Sequence, residues 1–482
     1  MMNIYKHVHF IGICGSGLSA IASLLLERGI KVSGSDRGAP ASFVEHLEKA
    51  GADVYFGHNP ENILGADLVI RSSAIPDDNP EVQAAKSVGV PVLKRADFLH
   101  QLIGDQECIA VAGTHGKTTT SAMITWVLMT LGFDPSFVVG SKIINLDRNS
   151  HAGAGKYFVI EADEYDRMFL GMNPSVEVIT NVDYDHPDCF PTHQEYIEGF
   201  KEFVARLKLN GSLIVCSDDP VAFSLLLEAR KAGHKVLSYG ICCKGSDYIA
   251  VVKGINNLGG YGFSLQRGNK QIIDVGLQVP GEHNVLNALA TFCVTQLIGI
   301  PVEKVGKALE AFSGTSRRFH IRGEYNQILI IDDYAHHPTE IRTTLAAARA
   351  RFPDRRIWAV WQPHTYSRTR IFFDQYINSF NDANCVMVTE IFSARESPPD
   401  DHFSSQMIAE VLTKNGVRKD REVYFVSDLI SGRRTLLSHL IPGDVVVVLS
   451  AGDTETLIVQ LLEALLIAEP AVSRMNRTSP VR

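Results

Sequence analysis

A lysine set among glycines and hydroxyls, in the run Gly113-Thr114-His115-Gly116-Lys117-Thr118-Thr119-Thr120, directly follows the apolar residues Cys108-Ile109-Ala110-Val111-Ala112. A strand that feeds a glycine-rich loop opening a helix is a cradle for a nucleotide triphosphate. Backbone N–H groups from Gly113 to Thr119 can approach phosphate oxygens, Lys117 can neutralise them, and the Thr118 hydroxyl can reach a Mg²⁺ ion. The common phosphate-loop pattern would place glycine at position 111, where this chain has Val111. The loop is therefore expected to be short, and the same letters also describe a tight turn capping a helix.

A phosphoryl-transfer site needs a metal, and hard oxygen ligands at strand ends are the usual way to hold Mg²⁺. Two apolar runs end in such residues: Phe158-Val159-Ile160-Glu161-Ala162-Asp163, and Val176 to Val182 followed by Asp183-Tyr184-Asp185-His186. Each carboxylate could instead cap a helix or pair with a base.

The elements that must position these groups alternate as strand and helix. Val8 to Gly12 reads as a strand, Gly15-Ser16-Gly17 opens a helix, and Lys31 to Asp36 reads as the next strand. This is a βαβ unit with an acidic residue about 20 positions after the glycines, close to a dinucleotide fingerprint, except that Cys14 replaces the second glycine. The fold class expected is α/β. At 482 residues and about 150 residues per domain, three domains are expected: 1–103, 104–315 and 316–469, with a hinge near Ser313 to Ser316 and a frayed tail over 470–482. Apolar residues at 45%, charged residues at 21% and a net charge of −8 suit an enzyme and disfavour a broad nucleic-acid surface. No run reaches the ~20 apolar residues of a membrane span, and the first residues lack a basic, cleavable leader. A cytoplasmic protein is expected, with its eight scattered cysteines as reduced core thiols.

Seven motifs, taken in order, resemble the Mur ligase family over nearly the whole chain: GTHGKTTT, EADE with Asp166, NVDYDH (181–186), PGEHNVLNA (280–288), Arg317-Arg318-Phe319, DDYAHHPTE (332–340) and QPHTYSRT (362–369). The resemblance implies a Rossmann-like UDP-binding domain, a central ATPase-like domain and a Rossmann-like C-terminal domain. It implies catalytic roles for Lys117, Glu161 and His186, with Thr118, Glu161 and His186 as ligands of two Mg²⁺ ions. His283 and Asn284 would face adenine, and Arg318 and Asp333 the phosphates and ribose. Gly12, Gly15, Ser16, Gly17, Asp36, Ser72, Ser73 and Ala74 would cradle a UDP-sugar, and Tyr334, His336 and Arg368 would hold an amino acid. The implied activity is ATP-dependent joining of L-alanine to the lactyl carboxylate of UDP-N-acetylmuramate through an acyl phosphate, in peptidoglycan precursor synthesis, by a monomer or dimer with no nucleic-acid or membrane partner. Thr365 stands where many members carry arginine.

Two rivals stay open at this point. A recycling ligase of the same superfamily attaches a tripeptide to the same UDP-sugar, and an NAD-dependent oxidoreductase would rest on Gly12 to Asp36 alone. A carbamylated lysine, for which Lys201 is a candidate, cannot be read from the sequence.

Overall fold

The computed structural model describes residues 5–38, 41–394, 396–415 and 421–468. The tail expected over 470–482 lies outside the described residues. Three sheets follow one another along the chain. The first comprises β1 (His7–Ile11), β2 (Lys31–Asp36), β3 (Asp53–Phe56), β4 (Leu68–Arg71) and β5 (Val92–Lys94) in the order β3-β2-β1-β4-β5, all parallel. The order reverses between β1 and β4, so a crevice opens beyond their C-terminal ends.

The second sheet has ten strands: β6 (Glu107–Ala112), β7 (Ser136–Ile143), β8 (Arg148–His151), β9 (Tyr157–Glu161), β10 (Val176–Ile179), β11 (Ser212–Cys216), β12 (Lys235–Gly240), β13 (Tyr248–Ile255), β14 (Tyr261–Arg267) and β15 (Lys270–Gly276). Their order is β15-β14-β13-β12-β11-β10-β6-β9-β7-β8. The parallel centre is covered on one face by the helices Lys117–Thr130 and Glu282–Ile298, whose apolar residues are buried almost all round. A parallel strand has no solvent face, which is why β6 and β9 read as unbroken apolar runs.

The third sheet contains β16 (His320–Tyr325), β17 (Ile328–Asp333), β18 (Ile357–Trp361), β19 (Cys385–Val388), β20 (Glu422–Phe425) and β21 (Val445–Leu449), ordered β16-β17-β21-β18-β19-β20. Only β16 is antiparallel. Among the described residues no helix is long and apolar enough to cross a membrane.

Two expectations change. Cys108, Cys216, Cys293 and Cys385 are core thiols, but Cys242 is exposed and Cys14, Cys189 and Cys243 are partly so. The segment 313–316 is not a free hinge. Thr315 bridges to Ile143, the Ile144 N–H donates to the Gly314 carbonyl (3.1 Å), and the Ser316 N–H donates to the Lys142 carbonyl (2.9 Å). Backbone freedom begins one residue later, where Arg317 (φ 58°) and Phe319 (φ 46°) adopt left-handed conformations.

The first sheet buries an unusual polar face. His7 and His9 of β1 and Ser33 and Ser35 of β2 point to the same side, and all four are buried. Glu81, fully buried in the first turn of the helix Pro80–Ser87, closes this layer: it accepts from Ser35 Oγ (2.5 Å), Asn62 Nδ2 (2.6 Å) and the Asn59 N–H (3.2 Å). Removing such an acceptor leaves its donors buried and unpaired. Glu81→Ala is expected to lower folding stability by about 3 kcal/mol; urea denaturation checks this, and a loss under about 1 kcal/mol would show that the layer is not held by this carboxylate.

Candidate active site

β6 lies between β10 and β9, with Ala112 beside Ile179 and Val111 beside Glu161. All three strands run the same way, so the segments after Ala112, Glu161 and Ile179 emerge together. Val111, where a glycine was expected, is buried inside β6 and paired on both edges, and the turn starts only at Gly113. Gly113 (φ 130°) allows no side chain, since a Cβ would stand 2.0 Å from Thr180 Oγ1. At Gly116 (φ 82°) a Cβ would meet Asn287 Oδ1 at 2.7 Å.

The segment that leaves β10 shapes this turn. Asn181 accepts the His115 N–H on its side chain (2.9 Å) and the Thr114 N–H on its carbonyl (3.1 Å), and Thr180 Oγ1 donates to the His115 carbonyl (2.6 Å). Two of the amides expected to face phosphate are therefore already committed. Free donors begin at the first turn of the helix Lys117–Thr130, whose leading N–H groups have no partner within the helix.

Lys117 Nζ donates to the carbonyls of Gly113 (2.6 Å) and Thr114 (3.0 Å) and lies 2.8 Å from Glu164 Oε2. Burial opposes its charge, but Glu164, Asp163 and Glu161 together raise its pKa above the usual lysine range. Thr118 Oγ1 donates to Glu161 Oε1 (3.0 Å), and Glu161 Oε2 accepts the Gly140 N–H (2.7 Å). His186, at φ 54°, brings Nε2 to 3.7 Å from Glu164 Oε1. Lys201 points elsewhere, toward Glu198 (3.1 Å) and Glu228 (3.9 Å).

The start of the helix that follows β17 closes over this loop. His115 lies 3.1 Å from Asp183 Oδ2 and 3.3 Å from Glu340 Oε1, while Thr339 Oγ1 donates to the same Asp183 oxygen (2.8 Å). Thr339 and Glu340 stand in the first turn of the helix Pro338–Arg351, behind its N-cap His337. Although burial opposes it, the pairs with Asp183 and Glu340 push the His115 imidazole up to about 9, and Asp183 falls to about 2. Among the described residues, the histidine and carboxylate donors that gather as an ion site would are His115, Asp183 and His337, a different set from the expected one.

Arg368 is buried. Its Nε donates to Asp185 Oδ1 (2.8 Å), and its terminal nitrogens reach His364 Nδ1 (3.1 Å) and His186 Nδ1 (3.3 Å). One edge of the fork expected to grip an amino acid is thus engaged by the central domain. His336 Nδ1 lies 3.0 Å from the Tyr334 carbonyl, and the Tyr334 ring is flanked by Arg317 and Arg318 at 4.9 and 5.2 Å.

Two neighbouring cavities result, with Thr118 and Arg318 lining both. One of about 400 Å³ is lined by Gly116, Thr118, Thr119, His283, Asn284, Arg318 and Asp333. Burial depresses His283 to about 4 and lifts Asp333 to about 6. Asn284 donates to the Pro280 carbonyl (2.7 Å) and accepts from Asn287 (3.0 Å). The other cavity, of about 1550 Å³, runs from Ser16, Gly17 and Arg95 past Lys117, Glu161 and His186 to Tyr334, His336 and Arg368. Gly12, Gly15, Asp36 and Ser72 to Ala74 sit at the crevice of the first sheet. Asp36 accepts the Cys14 N–H (3.1 Å) and so clamps the glycine turn, and Ser72 lies against Gly12. Arg95 lies over Gly17, at the start of the helix Ser16–Glu27, and pairs with Asp163 (3.2 Å).

Sequence reasoning overlooked Arg95, Glu164, Tyr196 and Glu340. Glu164 stood inside a quoted motif, and Glu340 three residues after an N-cap, so both carried a local signal. Arg95 and Tyr196 carried none.

The raised pKa of His115 gives the contact between domains a pH window. The stabilisation is complete below about 6.5, the ordinary histidine value, and fades as pH rises through about 9. Between those values the urea midpoint of the wild type is expected to fall more steeply than that of His115→Gln; parallel profiles would remove this contact as a stabilising element.

Residues 7–107 match the Mur ligase family catalytic domain, 111–295 the Mur ligase middle domain, and 317–452 the Mur ligase glutamate ligase domain. A UDP-N-acetylmuramate–L-alanine ligase of Acetivibrio thermocellus is 38% identical over 453 residues, 94% of each chain. One from Roseiflexus is 40% identical over 93% of this chain and 96% of the relative. Among solved structures, a UDP-N-acetylmuramate-alanine ligase from Thermotoga maritima superimposes with a TM-score of 0.82 at 28% identity, covering 96% of this chain and all of the other. A murein peptide ligase from Psychrobacter arcticus gives 0.72 at 26%, covering 96% and 99%.

Proposed function

The chain belongs to the Mur ligase family, and we propose that it joins L-alanine to the lactyl carboxylate of UDP-N-acetylmuramate, converting ATP to ADP and phosphate. The observation that carries this reading is the larger cavity, which sets the start of the helix Ser16–Glu27, the Lys117 ammonium and the Arg368 face along one continuous space. Three ligands in a row are what such a ligation requires.

The proposed units are 1–103 for the UDP-sugar, 104–315 for ATP and 316–469 for the amino acid. Arg95 and the N-terminus of the helix Ser16–Glu27 are two positive features side by side, an arrangement suited to a diphosphate that both would hold. Gly12, Gly15, Ser16, Gly17, Asp36 and Ser72 to Ala74 would surround the rest of the nucleotide. Adenine would enter the smaller cavity near His283 and Asn284, with Asp333 toward the ribose. A cytoplasmic setting, where ATP is plentiful, belongs to the same proposal.

A carboxylate cannot be attacked directly by an amine, because oxide would have to leave. Transfer of the γ-phosphoryl group to a lactyl oxygen breaks the bond to ADP and gives an acyl phosphate. The alanine amine, having lost its ammonium proton, attacks the acyl carbon, and the tetrahedral intermediate expels phosphate. Lys117, Arg318 and the first-turn amides after Gly116 stabilise the transferring oxygens by charge and position. Thr118 and Glu161 offer a hydroxyl and a carboxylate 3.0 Å apart, a donor pair that suits Mg²⁺, and His186 faces the acceptor side for a second ion. When bound, Mg²⁺ supplies neutralisation of phosphate charge. His336, Tyr334 and the outward edge of Arg368 would receive the amino acid.

Phosphate release with ATP and Mg²⁺ is expected to require both UDP-N-acetylmuramate and L-alanine; release supported by a tripeptide instead would turn the assignment to recycling. Lys117→Ala is expected to lower turnover by about three orders of magnitude or more while leaving UDP-sugar binding, read by calorimetry, nearly unchanged. Retained turnover would disprove the role of Lys117.

A further inference from the structure

We propose that Glu164 is a positioning residue for Lys117: a resident counter-charge that holds the ammonium while the loop is empty, yields it to the γ-phosphoryl group, and takes it back after transfer. This rests on reading the loop as the ATP site. Glu164 would thereby set how tightly nucleotide is held and how readily ADP leaves.

The ammonium is saturated as it stands. Its three hydrogens face the carbonyls of Gly113 and Thr114 and Glu164 Oε1 at 2.6, 3.0 and 3.0 Å, with Glu164 Oε2 at an ion-pair distance of 2.8 Å. An arriving phosphate must displace one of them. The two carbonyls belong to a turn fixed by Thr180 and Asn181, whereas Glu164 is the only charged partner within ion-pair distance among the described residues. A charge-assisted bond is about twice as strong as a neutral one, so this contact largely determines what the phosphate must overcome.

Glu164 is 0% exposed, and a buried carboxylate abandoned by its cation would be very unfavourable. The structure places a second partner beside it. Tyr196, fully buried in the helix His193–Val204, has its hydroxyl 3.2 Å from Glu164 Oε1 and 2.8 Å from Thr114 Oγ1. The Thr114 hydroxyl already gives its hydrogen to the Asp183 carbonyl (2.6 Å). Tyr196 therefore has one hydrogen and two acceptors. While Lys117 neutralises Glu164, the shorter bond to Thr114 takes that hydrogen; when Lys117 turns to phosphate, Tyr196 turns to Glu164. His186 Nε2 lies 3.7 Å from the same Glu164 oxygen, Oε1. The carboxylate thus has a stabilised state with Lys117 and another without it, and the exchange needs only a lysine rotamer change and a hydroxyl rotation.

The two side chains act with opposite signs, which separates this role from a structural one. With Glu164→Gln the phosphate displaces only a neutral contact, so ADP and a non-hydrolysable ATP analogue, titrated with Mg²⁺ into the full chain by calorimetry, are expected to bind about tenfold more tightly. Turnover is expected to fall, limited by ADP release, with normal single-turnover phosphoryl transfer. Tyr196→Phe strands the carboxylate and is expected to weaken the same binding several-fold. In a Lys117→Met background the Glu164→Gln effect is expected to vanish. Equal or weaker nucleotide binding by Glu164→Gln, or tightening that persists without Lys117, would overturn the proposal; a general structural defect would weaken both variants. A wild-type chain that binds neither nucleotide would instead overturn the ATP-site reading itself.

Discussion

A largely enclosed ammonium must be neutralised, and the central part of this protein is arranged around that requirement. Lys117 sits at the head of a helix that is otherwise packed into the core, where the helix N-terminus adds further positive potential. Two positive features in one place are tolerable only beside negative charge. The acidic residues after β9 supply it, and under the proposed function a bound polyphosphate would supply it in their place. The same demand explains why Glu161, Asp163 and Glu164 follow one strand end and why β9 must neighbour β6: the register that sets Val111 beside Glu161 delivers these carboxylates to the loop.

Charge also joins the domains. Arg95 reaches from the first unit to Asp163, and Arg368 from the third to Asp185, each at about hydrogen-bond distance. These contacts converge on segments that leave β9 and β10, so the central sheet acts as the common platform. A ligand that changes the charge near Lys117 acts on the electrostatic field that both neighbouring domains also feel. The turn Gly113 to Gly116 and the N-terminus of the helix Pro338–Arg351 meet through His115, Asp183 and Glu340, which makes the shape of the Lys117 loop and the seating of the third domain parts of one arrangement.

Much of this was legible in the chain because it is local. A strand ending in a glycine turn, a carboxylate at the end of an apolar run, and alternation of strand and helix are short-range signals. They located β6, β9, β10 and the Lys117 loop, and the order of seven motifs pointed to the family. In the sequence Val111 reads as a shortened loop, and its physical reason lies in the strand pairing: the position is inside β6, so no glycine is needed there. Long-range facts were not legible. Arg95 follows β5 with no motif around it, and its place over Gly17 depends on how the first sheet meets the second. Tyr196 looks like any aromatic on an amphipathic helix until its hydroxyl is seen between Thr114 and Glu164. The segment 313–316 has a linker's composition, but its pairing with 141–145 spans some 170 positions in sequence.

That pairing bears on how closure can occur. If the third domain turned about 313–316, the bridge between Ile143 and Thr315 at the end of β7 would break. Turning about Arg317 to Phe319 leaves it intact, because two of these three residues already adopt left-handed conformations and the chain there is not part of a sheet. Such backbone is uncommon for residues other than glycine, and it persists where the surroundings demand it. Here the demand is visible: Asp333 accepts the Phe319 N–H at 2.7 Å, and the Arg317 side chain reaches the Ser450 carbonyl at 2.7 Å. The pivot is therefore held by the third domain, while the strand before it is held by the central one. Arg318, lying between these two anchors, lines both cavities, so a small rotation there moves a positive charge between the smaller cavity and the larger one while the supporting sheets stay as they are.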